Sequence, residues 1–273
     1  MTKRIGNILL ALCLLLSVSF STAHAQVFVT GSGGQFGTIN PATGIYSSRG
    51  TLGGAVGSLS GMALSGGVLY GVAGVDGPDQ SLYSVNAANG STAFLKNIGA
   101  AFVSVAARGD GRLYGYSTTA GTSTLWSIDP VAESAATAIG ALGIGTFDGL
   151  AFGGDGALYT SDTATGTLYR LDIATGAAAA VGGGIGTPDV YGYGLSGATF
   201  YGFALDRTIR SVDTSTGAGG TPVSYSFGAG QELDFVTSAA GAVIPEPTTL
   251  SLVLLALSGG AGARYRRVFR RRA

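Results

Sequence analysis

The sequence predicts an all-β domain, a β-propeller of five four-stranded blades, and three observations lead there. An apolar pair recurs along the chain as Leu69-Tyr70-Gly71, Leu113-Tyr114-Gly115, Leu158-Tyr159-Thr160 and Phe200-Tyr201-Gly202, at spacings of 44, 45 and 42 residues. A second segment follows each: Leu82-Tyr83-Ser84-Val85-Asn86, Leu125-Trp126-Ser127-Ile128-Asp129, Leu168-Tyr169-Arg170-Leu171-Asp172 and Ile209-Arg210-Ser211-Val212-Asp213. These segments alternate large apolar residues with others and favour β-branched and aromatic types, as half-buried strands do. Four short antiparallel strands in a period of about 44 residues match a propeller blade, whereas a solenoid coil would be about half as long.

Each repeat can be read in order. A first strand and tight turn precede the apolar pair, as in Leu150-Ala151-Phe152 before Gly153-Gly154-Asp155-Gly156. The apolar pair opens the second strand, and the following segment forms the third, ending in Asn or Asp. That residue opens a loop closed by glycine in Asn86 to Gly90, Asp172 to Gly176 and Asp213 to Gly217. Its side chain bonds the backbone two residues on, and glycine supplies the positive φ. Asp129 leads instead into Pro130 and a glycine-free loop. A weaker fourth strand follows, such as Ala178 to Val181.

The ends of the repeat region predict how the ring closes. Val27-Phe28-Val29 matches a second strand, and Phe36 to Asn40, followed by Ala42-Thr43-Gly44, matches a third with its turn. The first strand is missing there, and Leu233-Asp234-Phe235-Val236-Thr237 is an unpaired first strand near the other end. Pairing the two completes the first blade and removes an open sheet edge.

Both chain ends carry address signals. Lys3 and Arg4 precede an apolar stretch from Ile8 to Phe20, and Thr22-Ala23-His24-Ala25 has the small-x-small pattern of a cleavage site. Residues 1–25 therefore read as a secretory signal peptide cut between Ala25 and Gln26. A lipoprotein signal at Cys13 is disfavoured, because Leu12 stands where a small residue is expected. Residues 245–273 begin with Pro245-Glu246-Pro247, run through the uncharged apolar span Leu250 to Ala263, and end in six arginines from Arg264 to Arg272. As a hydrophobic helix, that span of 14 residues reaches about 21 Å against a hydrocarbon core of about 30 Å. A transient membrane stop fits better than a permanent anchor, with the arginines held on the cytoplasmic side.

The tripeptide, apolar span and arginine cluster together resemble the PEP-CTERM sorting signal. The resemblance covers about the last 30 residues. It implies recognition by an exosortase after passage through the secretion machinery, removal of the tail, and delivery from the inner membrane to the surface or extracellular matrix of a Gram-negative bacterium. Such proteins usually accompany exopolysaccharide. The repeats, including Leu171-Asp172-Ile173-Ala174-Thr175-Gly176, also resemble those of secreted and quinoprotein-type propellers. The latter place a tryptophan shortly after the glycine, where this chain has Ala177 to Val181. Quinone-cofactor binding is therefore not carried over.

Removing both ends leaves residues 26–244, 219 in all, as one propeller domain. It keeps seven of the fifteen cations and fourteen of the fifteen acids, a balance of −7. Such a charge disfavours nucleic acid as a partner. Cys13 and His24 both leave with the signal peptide. The domain then has no disulfide, no Ser-His-Asp or Cys-His arrangement and no ordinary zinc site.

Carboxylates are what remains for chemistry. Asp148 and Asp234 occupy matching places at the start of first strands, nearest the central channel. They could form a polar or calcium-binding mouth, or serve a glycan hydrolase or lyase; the plainer reading is that they end strands and face water. Asp76-Gly77-Pro78-Asp79 reads as a turn, and Asp110 and Asp155, each between glycines, as hairpin residues. The tyrosines, Tyr191 and Tyr193 included, read as packing between blades. The expectation is an exported binding or structural propeller without catalytic residues or cofactor.

Overall fold

The computed structural model describes residues 26–31, 33–53, 56, 58–73, 80–119, 121–145, 147–227 and 236–241, with 147–148 and 236–241 as backbone alone. These residues belong to one compact unit, Ala25–Ile244.

The described strands form five antiparallel sheets of four strands each. Blade 1 takes β1 (Val27–Gly31), β2 (Gln35–Asn40) and β3 (Ile45–Thr51). Blade 2 comprises β4 (Gly61–Ser65), β5 (Val68–Ala73), β6 (Ser81–Val85) and β7 (Thr92–Asn97). Blade 3 comprises β8 (Phe102–Ala107), β9 (Leu113–Thr119), β10 (Thr122–Ile128) and β11 (Thr137–Ala141). Blade 4 comprises β12 (Phe147–Phe152), β13 (Leu158–Asp162), β14 (Leu168–Leu171) and β15 (Ala178–Val181). Blade 5 comprises β16 (Val190–Ser196), β17 (Thr199–Ala204), β18 (Thr208–Val212) and β19 (Val223–Ser224). The last strand, β20 (Val236–Gly241), pairs with β1 and completes blade 1. The first strands β20, β4, β8, β12 and β16 adjoin one another in that cyclic order, so the sheets form a ring around a channel.

The expected closing strand is present. The closing strand runs from Val236 to Gly241, with Val27 opposite Gly241 and Val29 opposite Ala239. It includes the predicted Val236 and Thr237 and continues to Gly241, while Leu233, Asp234 and Phe235 lie outside the described residues.

The recurrent apolar pair follows from burial on both faces. Successive strand residues point to opposite faces, and in a propeller both faces of a blade meet a neighbour. Leu69 packs in a core shared with blade 1, while Tyr70 packs in one shared with blade 3. Leu158 likewise joins blade 3 and Tyr159 joins blade 5. Each of the five cores is built from two adjacent blades, and burying each such side chain contributes about 1.5–3 kcal/mol. Tyr193 stacks on Phe200 of its own blade at 5.1 Å between ring centroids and reaches the next blade by donating its hydroxyl to Ser161 of blade 4. A bulge at Gly149 in β12, with φ of 68°, admits the Tyr193 ring where a Cβ would collide with it.

Turns between third and fourth strands form the outer joints. In Asp213–Gly217 the Gly217 N–H donates to the Asp213 carbonyl at 2.7 Å, and Asp213 Oδ1 accepts the Ser215 N–H at 2.8 Å. Asn40–Gly44, Asn86–Gly90 and Asp172–Gly176 repeat this geometry. Each lies against the outer strand of the preceding blade.

Candidate functional site: a cavity at one mouth of the channel

A cavity of about 730 Å³ opens where the inner strands β4, β8, β12 and β16 end. Its lower wall is apolar, with Met62, Val105, Leu150 and Tyr193 buried beneath half-buried Leu64, Phe152 and Leu195. Charge collects at the rim. Two hairpins supply it, after β8 and after β12.

In the first hairpin the Arg108 N–H donates to the Arg112 carbonyl at 2.8 Å. Asp110 Oδ1 accepts the Arg112 N–H at 3.1 Å, and its Oδ2 lies 3.3 Å from Arg108 Nη1. Both side chains of this ion pair are almost half exposed. Water screens such a pair, so it orients and neutralises charge more than it stabilises the fold.

The second hairpin, Gly153 to Ala157, holds Asp155. Its Oδ1 accepts the Ala157 N–H at 3.1 Å, and its Oδ2 accepts the Tyr159 hydroxyl at 2.7 Å. Burial alone would raise the Asp155 pKa, but the bonds from Tyr159 and Ala157 outweigh it and hold the carboxyl below its ordinary value. Tyr159 moves upward, first through burial and then through its bond to Asp155. Near neutrality the pair is therefore a carboxylate accepting from an intact phenol.

Of the acids singled out in the sequence, Asp110 and Asp155 are those at this cavity. Asp148 is the second residue of β12, with backbone opposite Ser161, at the end of the strand away from the cavity. Asp234 and the Asp76–Asp79 turn lie outside the described residues, as do Ala25 and the Pro245-Glu246-Pro247 motif; Gln26 is described, and its Oε1 accepts the Thr38 hydroxyl at 2.6 Å. Asp110 and Asp155 occupy the cavity rim while also forming their hairpins. A signal for them was present: Gly-Asp-Gly recurs at 109–111 and 154–156, the same turn in neighbouring repeats.

Other aspartates are committed to local backbone. Asp129, Asp162, Asp172, Asp206 and Asp213 each accept the N–H two residues on. Among the described residues no three His, Cys, Asp or Glu side chains gather as a metal site.

These features define a closed five-bladed β-propeller with a cavity of mixed polarity at a channel mouth. No protein-family model and no curated protein matches the chain. Among solved structures it is similar to a chain of the nidogen/laminin complex, with 13% identity, 79% of this chain and 85% of that chain covered, and a TM-score of 0.53. It also matches glutaminyl cyclase of Myxococcus xanthus, with 19% identity, 74% of each chain covered and a TM-score of 0.44. A third match is the PQQ-bound aldose sugar dehydrogenase of Streptomyces coelicolor, with 17% identity, 68% of this chain and 70% of that chain covered, and a TM-score of 0.41. At 13% identity the first likeness supports the propeller fold and nothing further.

Proposed function

We propose that this protein is an exported, non-catalytic propeller that binds exopolysaccharide at the surface or in the matrix of a Gram-negative bacterium. The observation that carries the binding reading is the channel-mouth cavity, which joins apolar walls to a rim of fixed polar groups, the usual make-up of a small-ligand site. The terminal sequences support export by a signal peptide and sorting by an exosortase that acts at Pro245-Glu246-Pro247 and removes the arginine tail.

Mass spectrometry of the protein recovered from its native host tests the sorting reading. The expected N-terminus is Gln26, with the arginine tail absent from the surface form. A surface form that begins at Met1 or retains Arg264 to Arg272 would overturn it. Retention of host exopolysaccharide in a pull-down tests binding. A glycan-degrading activity lost in Asp148→Asn or Asp234→Asn would replace the binding reading with the enzymatic one.

A further inference from the structure

We infer that the channel-mouth cavity receives an amino-sugar residue of a glycan, its free ammonium group meeting the rim beside Asp155. The inference rests on the glycan-binding reading above and adds which sugar chemistry the site selects.

Three features point the same way. The half-buried side chains of Leu64, Phe152 and Leu195 offer apolar surface, and a ring face, to the C–H side of a pyranose. The cavity's volume, about 730 Å³, falls in the range of small-ligand sites. The rim then sets the sign of the ligand's charge. Arg108 is neutralised by Asp110, 3.3 Å away. Asp155 makes no ion pair among the described residues, and Arg170 acts on it only weakly. Its oxygens accept from the Ala157 N–H and the Tyr159 hydroxyl and also meet the N–H of Asp155 itself, and a carboxylate has about four acceptor sites. An ionised carboxylate with acceptor capacity to spare thus borders an apolar-walled cavity. A charge of −7 over residues 26–244 draws cations and repels uronates at longer range.

The test is calorimetric titration of the full chain in detergent with four pentamers: glucosamine, N-acetylglucosamine, glucose and galacturonate. At low salt the glucosamine pentamer is expected to bind about tenfold more tightly than the two neutral pentamers, the scale of one charge-assisted hydrogen bond. The galacturonate pentamer is expected to bind most weakly. Asp155→Asn, which keeps an oxygen for Ala157, is expected to bring the glucosamine pentamer down to the neutral ones. Phe152→Ala is expected to weaken all of them. Equal binding of glucosamine and glucose pentamers, or a glucosamine preference that survives Asp155→Asn, overturns the amino-sugar assignment and leaves glycan binding standing. Tighter binding of galacturonate overturns it in the same way. Binding unaffected by Phe152→Ala places the ligand elsewhere and also overturns it. No binding of any pentamer, in a protein that unfolds cooperatively, overturns both readings.

Discussion

Between blades 4 and 5 the Asp213–Gly217 turn presses its backbone onto β15, whereas between blades 2 and 3 a lysine side chain fills the corresponding place. At the first joint a Cβ on Gly182 would overlap the Thr216 carbonyl oxygen, and one on Gly217 would overlap that of Val181. Joints at Gly140 with Thr175, Gly50 with Asn89 and Gly44 with Ser224 are built alike. The turn after Asp129 has no glycine, and there Lys96 of β7 donates to the carbonyls of Asp129, Ala132 and Ser134. A compact backbone turn can touch its neighbour directly, while a wider loop leaves carbonyls that need a donor. The comparison shows one mechanical requirement, a filled gap between blades, met at four joints by removing side chains and at one by supplying a lysine.

The largest effect is expected at the glycine joints. Gly217 has φ of 73° and no room for a side chain, so Gly217→Val should cost about 3 kcal/mol or more in urea unfolding through strain and overlap. A loss below 1 kcal/mol would show that the turn can move away, and that the joint is not set by close approach. Lys96→Met should cost less, about 1–2 kcal/mol, because it removes hydrogen bonds from a group that water partly reaches. An equal or larger loss than at Gly217 would reverse the ranking. Arg49→Ala tests a mixed joint. Its guanidinium donates to the Ala87 carbonyl at 3.2 Å and lies 5.5 Å from the Phe28 ring centroid, beside a glycine contact at Gly50. The expected loss is about 1 kcal/mol, since the backbone contact stays in place.

The smallest effect is pH dependence. The Val131 and Ala132 N–H groups hold Asp129 below its ordinary pKa, the Ala174 N–H does so at Asp172, and the Ser215 hydroxyl and N–H do so at Asp213. A carboxyl with a lower pKa in the folded state contributes stability above its unfolded value near 3.8, and that contribution is lost as pH falls through the folded value. Thermal unfolding below about pH 4 should therefore decline less steeply in Asp172→Asn/Asp213→Asn than in the parent. An unchanged acid limb would show that these turns do not titrate with folding.

Much of this was legible in the chain. The pair at Leu69-Tyr70 and its repeats announces burial on two faces, and the Asx-to-glycine spacing announces the joints, because both depend on local alternation and turn geometry. The odd loop after Asp129 was visible as a departure, but Lys96 was not visible as its remedy, since 33 residues separate them. The rim is hidden from the sequence for a related reason. Asp110 and Asp155 lie in separate repeats, and only the packing of blades 3 and 4 brings their hairpins to one cavity rim.

The sequence by itself determined the class of fold, the blade count and the need for a closing strand, since repeat length and strand period are properties of the chain alone. Only the tertiary structure decided which residues close the ring and which acids share a mouth. Those depend on crowding at the axis and on distances between blades, and both arise only when all five sheets are packed together.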